Sequence, residues 1–174
     1  TGKFITALSN FGRSVEQMEW SADGKSLYVT ADDLGRHRLF RMDIANGVIE
    51  RMSGNGHIDA FAETPDGFVF LKSSMTSPSA LYASAPKAKL VDEGAINLTS
   101  VNAKLKDKSF GAYEQFSFPG WNNETVHGYV VKPADYVEGR KYPVAFLIHG
   151  GPQGSFGDGW SFRWNPQTYA GAGY

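Results

Sequence analysis

The sequence contains no cysteine, no long apolar run and no excess of either charge. Without cysteine, disulfide staples, thiolate zinc sites and a cysteine nucleophile are excluded. No apolar stretch approaches the roughly 20 residues of a membrane-spanning helix, so we expect no membrane partner. The 17 basic and 18 acidic residues give a net charge of -1 without long runs, which predicts no nucleic-acid partner. Short peptides fit better as partners, homo-oligomerisation is left open, and the composition does not identify the compartment.

Motifs for metals and cofactors are also missing, so we expect neither. The four histidines show no i, i+4 pairing and no H-E-x-x-H spacing. They are His37, His57, His127 and His149. The glycine-rich stretch at 154–160 lacks the Lys-Ser/Thr of a phosphate-binding loop. The carboxylates of Asp32-Asp33 and of 92–94 are interpreted as solvated turn residues, because no oxygen-ligand spacing accompanies them.

The first half of the sequence contains a repeat. With 41% hydrophobic and 14% aromatic residues, the 174-residue chain can bury a core. The stretch "SVEQMEWSADGKSLYVTA" (14–31) aligns with "HIDAFAETPDGFVFLKSS" (57–74), which places Asp23-Gly24 on Asp66-Gly67. Because glycine accepts the positive φ of tight turns, both Asp-Gly pairs predict hairpins.

Each repeat contains four short segments with strand character. They are VEQMEW, SLYVTA, RLFRMDI and VIERM in the first repeat, then DAFAE, FVFLKS, ALYASA and AKLVDE in the second. A period of roughly 40 to 45 residues with four strands is typical of β-propeller blades, although a sandwich with two similar hairpins is the alternative. We therefore expect residues 1–95 to be two blades. Since propellers have about 4 to 8 blades, the others would lie upstream of Thr1.

The pattern changes after residue 95. The helical spacing of Leu98, Val101 and Leu105 predicts a short helix or a linker at 96–108. Alternating polar and apolar residues on both sides of "WNNET" then predict a hairpin whose second strand ends at Pro133. The apolar run "PVAFLI" that follows is typical of a strand buried on both faces of a mixed or parallel sheet.

This strand would end in the tetrapeptide His149-Gly150-Gly151-Pro152, where ligands of open α/β sheets bind. Two glycines allow a sharp turn and bring a backbone N–H close to a substrate, while Pro152 stiffens the exit. In α/β hydrolases the loop after the third strand supplies one oxyanion donor. We therefore predict that a backbone N–H of this loop is such a donor. A tight turn without catalytic role is the alternative.

Taken with "WSADGK", "TPDG" and "YPVAFLIHGGPQG", this organisation resembles the prolyl oligopeptidase family of serine peptidases, especially its acylaminoacyl-peptidase and bacterial dipeptidyl-peptidase branches. The resemblance covers nearly the whole chain. It implies all-β propeller blades followed by the N-terminal part of an α/β-hydrolase peptidase domain at 109–174. It further implies a serine peptidase that hydrolyses short peptides through an acyl-enzyme. By the same resemblance, the Gly151 amide holds the oxyanion, and His149, Gly150 and Pro152 shape its loop.

The sequence departs from the family pattern in two respects. The G-x-S-x-G-G nucleophile elbow does not occur in these residues, nor does a D-W-x-Y-E-E-E-like stretch that grips a free amino terminus. The resemblance places the catalytic serine, aspartate and histidine downstream of Tyr174, so we expect a piece of a longer chain that is inactive alone. Dipeptidyl, acylaminoacyl and endo-oligopeptidase specificities stay open. The alternatives are a carboxylesterase-like acyl hydrolase and a non-catalytic propeller that binds proteins.

The last fifteen or so residues contain a pair of aromatic side chains and a helix signal. Trp160 and Phe162 either line a substrate pocket or pack between domains. Asn165 as N-cap and Pro166 at the first helical position predict a helix that ends at Gly171 or Gly173.

Overall fold

The computed structural model describes residues 10–151 and 154–174, and its first half consists of two antiparallel four-stranded sheets. In each sheet the strands follow one another in chain order. The first contains β1 (Val15–Trp20), β2 (Ser26–Asp33), β3 (Arg36–Asp43) and β4 (Ile49–Arg51). The second contains β5 (His57–Thr64), β6 (Gly67–Ser74), β7 (Ser77–Ala83) and β8 (Ile96–Asn97). The prediction of two repeats with four strands each is confirmed.

The equivalent Asp-Gly turns join the first two strands of each sheet. In the first turn the Asp23 carboxylate accepts hydrogen bonds from Ser21 Oγ (2.7 Å) and from the Lys25 N–H (3.0 Å). Gly24 then adopts a φ of 70°, which side chains disfavour. In the second turn Gly67 has a φ of 138° and lies against the Ser84 side chain, which leaves no room for a Cβ atom.

The core lies on both faces of β2. Leu27, Val29 and Ala31 point into a cluster within the first sheet, while Tyr28 belongs to a second cluster. The second cluster joins the two sheets and contains Tyr28, Leu39, Ile58, Phe61, Phe70 and Val91. Burial on alternate sides of one strand is what stacked sheets require, because successive residues of a strand face opposite sides.

Polar contacts also fasten the two sheets together. The Glu63 carboxylate accepts hydrogen bonds from the Ala22 N–H (2.6 Å) and from Tyr28 Oη (3.1 Å). Burial and the neighbouring Glu63 charge raise the pKa of Tyr28 to about 12, so its hydroxyl stays protonated as a donor. Gln17 adds hydrogen bonds between its side-chain amide and the backbone of Phe61.

The eighth strand differs from its prediction. We expected it at 88–93, whereas these residues form turns and the strand is Ile96–Asn97. The reason is tertiary: Val91 is buried between the sheets, and its N–H donates to the Met52 carbonyl at 2.7 Å. Asp92 is not a solvated turn carboxylate, since it pairs with Lys72 at 2.6 Å and accepts the Gly54 N–H.

The connection between the second sheet and the next hairpin is almost free of helix. A single 3-10 turn, Ala103–Leu105, interrupts the linker predicted at 96–108. Leu98 and Val101 are exposed, so their helical spacing has no apolar surface to pack against. The predicted hairpin follows as β9 (Tyr113–Pro119) and β10 (Thr125–Val131), paired over their full length and closed by a 3-10 turn at Trp121–Asn123.

The apolar run before the glycine pair does not form the expected buried strand. Residues 143–148 have no strand partner among the described residues, and Val144, Phe146 and Ile148 are 84%, 81% and 74% exposed. A strand buried on both faces needs neighbours for its N–H and C=O groups and covering layers above and below. No described segment supplies such neighbours or covering layers here, so residues 143–148 remain unpaired and exposed to solvent within the described part of the chain.

The predicted C-terminal helix is confirmed. Helix α1 covers Gln167–Gly171, and Asn165 Oδ1 accepts the Gln167 N–H at 3.0 Å as an N-cap does. The Gln167 side chain is buried and forms two hydrogen bonds with the backbone of Gly111, at 2.8 and 2.9 Å. These bonds tie α1 to the entrance of β9. Among the described residues, no helix has the length and apolar character needed to cross a membrane.

Candidate active-site loop

The His149-Gly150-Gly151 turn is exposed and lies at the end of the open apolar run. His149 Nδ1 is 3.0 Å from the Gly150 carbonyl, and no atom of the described residues lies within 4 Å of the position where a Gly150 Cβ would be. Gly151 has a φ of 148°, which L-residues other than glycine rarely adopt. Pro152, which the sequence analysis assigned to the same loop, lies outside the described residues.

One side-chain contact links this turn to the following segment. The His149 ring meets the Phe156 ring edge to face, with centroids 5.9 Å apart. Such a pair contributes about 0.5 to 1.5 kcal/mol beyond the burial of its area. The orientation of the loop therefore depends in part on where residues 154–160 are held.

Residues 157–160 are held firmly, because they dock on both sheets. Asp158 is 1% exposed, and its N–H donates to the Gly35 carbonyl at 2.9 Å. Its Oδ2 accepts the Gly56 N–H at 3.0 Å and lies 3.5 Å from Arg36 Nε. One aspartate thus contacts the β2–β3 turn of the first sheet and the start of β5 in the second.

The glycines around Asp158 permit this close approach. A Cβ at Gly157 would lie 3.3 Å from the Gly35 carbonyl oxygen, and one at Gly159 would lie 2.9 Å from His57 Nδ1. Burial raises the pKa of Asp158, while the Gly56 N–H and Arg36 oppose that rise. Sequence reasoning missed this residue, because its partners lie far away in the chain. The available signal was a carboxylate between two glycines.

A cavity of about 260 Å³ adjoins Asp158 at the junction between the first sheet and the β9–β10 hairpin. Its walls include Arg36, Tyr113, Gln115 and Tyr129. Tyr129 Oη donates to the Gly35 carbonyl at 3.0 Å, and burial raises the pKa of Tyr129 to about 12. The His149–Gly151 turn does not line this cavity.

The two aromatic residues proposed for a substrate pocket lie beside the second sheet. The Trp160 ring packs edge to face on Phe110 (6.0 Å) and Phe162 (5.8 Å), and the backbone N–H of Trp160 donates to Ser73 Oγ at 3.4 Å. Phe162 itself is 89% exposed. Trp160 therefore takes part in packing at the junction, and neither ring has an aromatic contact with His149 among the described residues.

Two histidines stack where the sheets meet. The rings of His37 and His57 are 4.7 Å apart and nearly parallel, with Asp32 2.9 Å from His37 Nδ1 and Asp59 3.7 Å from His57 Nε2. Burial lowers the pKa of His57, and Asp59 opposes this.

Residues that the sequence analysis treated as solvated or unrelated also come together near these rings. Asp33 is not solvated, because it pairs with Arg13 (2.6 Å) and Arg38 (3.0 Å). The ligand atoms of Glu16, Asp32 and His37 lie within 4.8 Å of one another. Asp32 already forms a hydrogen bond with one ring nitrogen of His37, and Glu16 lies 3.9 Å from the other. The same geometry is that of an ion-pair cluster without a metal ion.

The sequence and the fold were compared with those of known proteins. No protein-family model matches the chain. The probable dipeptidyl-peptidase 5 of Aspergillus clavatus is 34% identical over 168 residues, which cover 95% of this chain and 23% of that protein. The acylaminoacyl peptidase of Pyrococcus horikoshii has a similar structure, with a TM-score of 0.73 and 25% identity over 97% of this chain and 25% of that one.

A second solved structure, an acylaminoacyl peptidase in complex with Z-Gly-Gly-Phe-chloromethyl ketone, gives a TM-score of 0.74 and 26% identity. The chain is thus similar in sequence to a dipeptidyl peptidase and in structure to acylaminoacyl peptidases, which supports the resemblance to the prolyl oligopeptidase family. It spans 23% of the length of the first relative and 25% of the two solved structures. Its two sheets correspond to the propeller-like region of these peptidases, which favours blades over a sandwich.

Proposed function

We propose that the full-length protein is a serine peptidase that hydrolyses short peptides by acyl-enzyme chemistry. The similarity to dipeptidyl-peptidase 5 carries this proposal, because it runs through both blades, the hairpin and the glycine pair at 34% identity. The similarity of the fold to two acylaminoacyl peptidases supports it independently.

In this proposal residues 109–174 form the first part of an α/β-hydrolase domain, and Gly151 N–H is one of its oxyanion donors. The backbone of Gly151 supports this role, since it is exposed and has a φ of 148°, which residues with a side chain rarely adopt. Such a donor acts most strongly when charge develops on the carbonyl oxygen.

The reaction would proceed in two steps. A serine of the full-length protein, outside these 174 residues, attacks the scissile carbonyl carbon, and a histidine takes the serine proton and passes it to the leaving amine as the C–N bond breaks. Water then attacks the resulting ester, with the same histidine as base, and releases the acid. Gly151 N–H stabilises the oxyanion of both tetrahedral intermediates.

Release of dipeptides from a free amino terminus is the first specificity to test, because the relative with 34% identity is named for it. Removal of an acylated residue is the second, because the solved neighbours are acylaminoacyl peptidases. In either case a propeller over the active site would restrict substrates to peptides of a few to some tens of residues.

The test uses the purified full-length protein and three chromogenic substrates. They are a dipeptidyl nitroanilide with a free amino terminus, its N-acetylated aminoacyl counterpart, and a nitrophenyl ester. We expect the dipeptidyl nitroanilide to be cleaved fastest. A fluorophosphonate should abolish activity by labelling one serine, and folded globular proteins should stay intact. Hydrolysis of the ester alone would show an esterase, and efficient digestion of a folded protein would exclude the size restriction.

A further inference from the structure

Asp158 lies where the blades contact the segment that follows the proposed oxyanion donor. A role of Asp158 toward that donor rests on the function proposed above. The carboxylate is buried among groups from two different sheets. It accepts the Gly56 N–H of the second sheet at 3.0 Å and lies 3.5 Å from Arg36 Nε of the first. Its own N–H donates to the Gly35 carbonyl at 2.9 Å. Each partner comes from the edge of the blades that faces residues 109–174.

The loop that carries Gly151 lacks comparable anchors of its own. Among the described residues, the polar contact of His149 is with the neighbouring Gly150 carbonyl, and nothing approaches the Cβ position of Gly150. The apolar run before it is exposed and forms no strand. A donor that must be placed within a fraction of an ångström therefore depends on contacts from elsewhere.

Those contacts lead to Asp158. The His149 ring packs on Phe156 at 5.9 Å, and Phe156 lies two residues before Asp158 in the segment that docks on the blades. Gly157 and Gly159 hold that segment so close that neither accepts a Cβ without displacement of Gly35 or His57. A shift of the blades would thus move Asp158, then Phe156 and His149.

We propose that Asp158 is a positioning residue that couples the two blades to the oxyanion loop at Gly151. It touches neither substrate nor reacting atoms. Its effect is to hold the loop in the orientation where the Gly151 N–H meets the developing oxyanion. Loss of the Asp158 contacts would therefore weaken binding of the transition state more than binding of the substrate.

The test compares Asp158→Ala and Asp158→Asn with the wild-type full-length protein, at temperatures well below the unfolding midpoint of each. For a dipeptidyl nitroanilide we expect kcat to fall about ten- to hundredfold in Asp158→Ala while KM stays within about twofold. A peptide aldehyde, which forms a tetrahedral adduct with the serine, should lose affinity in proportion to kcat. A general loss of stability would not produce this parallel.

The matched control is Asp135→Ala, because Asp135 is exposed and has no hydrogen bond or ion pair within the described ranges. It should match the wild type in kcat, KM and aldehyde affinity. If Asp158→Ala fails to fold, Asp158→Asn, which keeps the shape and loses the charge next to Arg36, gives the same comparison. Folded Asp158 variants with wild-type kcat and aldehyde affinity, or with a raised KM alone, would overturn the proposal. An inactive wild type would overturn the proposed function as well.

Discussion

At the scale of single residues, the proposed oxyanion donor makes the sharpest prediction. Proline at Gly151 removes the N–H and imposes a φ near -65°, far from the observed 148°. We expect Gly151→Pro to lower kcat of the full-length enzyme by roughly 10²- to 10³-fold, because one donor to the developing charge is lost. KM should change far less. Steady-state kinetics with the dipeptidyl nitroanilide measures both constants.

The matched control for this change is Gly139→Pro. Gly139 also has a positive φ, 81°, and nothing lies within 4 Å of its Cβ position, so proline disturbs the backbone equally without touching the loop. This variant should keep most of its activity. A folded Gly151→Pro enzyme with normal kcat would mean that the glycine pair is only a turn.

At the scale of elements, the attachment of α1 to β9 can be measured as stability. Gln167 pairs with both the N–H and the C=O of buried Gly111, where a Cβ would collide with the Lys132 carbonyl. Replacing Gln167 with alanine leaves both backbone groups unpaired, at about 1 to 3 kcal/mol each. We expect Gln167→Ala to lower the free energy of unfolding by about 2 to 6 kcal/mol in denaturant titrations.

Thr168→Ala on the same helix is the control, because Thr168 is exposed and, within the described part of the chain, its hydroxyl donates only to the Asn165 carbonyl. Its cost should stay within about 1 kcal/mol. If the two variants lost equal free energy of unfolding, the bonds to Gly111 would contribute no more to stability than the Thr168 hydroxyl does.

The elements that sequence could predict are those defined by near neighbours. The Asp-Gly turn at 23–24 and the cap at Asn165 satisfy their hydrogen bonds within a few residues, so their patterns are visible in the sequence. The predicted position of the eighth strand is wrong, because the placement of Val91 depends on its contact with Met52, which directly follows β4 of the first sheet. Asp158 was missed for the same reason, since Gly56 and Gly35 are distant in sequence. Side-chain type alone does not report such partners.

At the scale of the whole molecule, the junction of the blades with residues 157–160 is a buried set of charged and titratable groups. Arg36 and Asp158 face each other there, and Asp33 neutralises Arg38 at 3.0 Å. Unlike exposed ion pairs, such groups are screened little by salt, and removal of one partner leaves a buried charge. The packing of the blades against residues 157–160 therefore depends on protonation as well as on apolar contact.

His57 is a half-buried titratable group at this junction. It stacks on His37 and faces Asp59, Asp158 and Asp32, and burial lowers its pKa below the ordinary 6.5. A histidine with a lowered pKa binds a proton more readily when unfolded, so its contribution to stability is full above pH 6.5 and is lost as pH falls below it. Burial raises the pKa of Asp158 from 3.8, so its contribution has the opposite sign: it is full below pH 3.8 and is lost as pH rises through the raised pKa.

We therefore expect the unfolding midpoint of the full-length protein to fall between pH 7 and pH 5.5, and the fall to be smaller in His57→Gln, which cannot take up the proton. Thermal unfolding followed by circular dichroism across this range measures both. His127→Gln is the control, since His127 is exposed on β10 and makes no ion pair within residues 10–151 and 154–174. Its pH profile should match the wild type. Identical profiles for His57→Gln and the wild type would show that the stacked histidines do not govern the stability of the junction in acid.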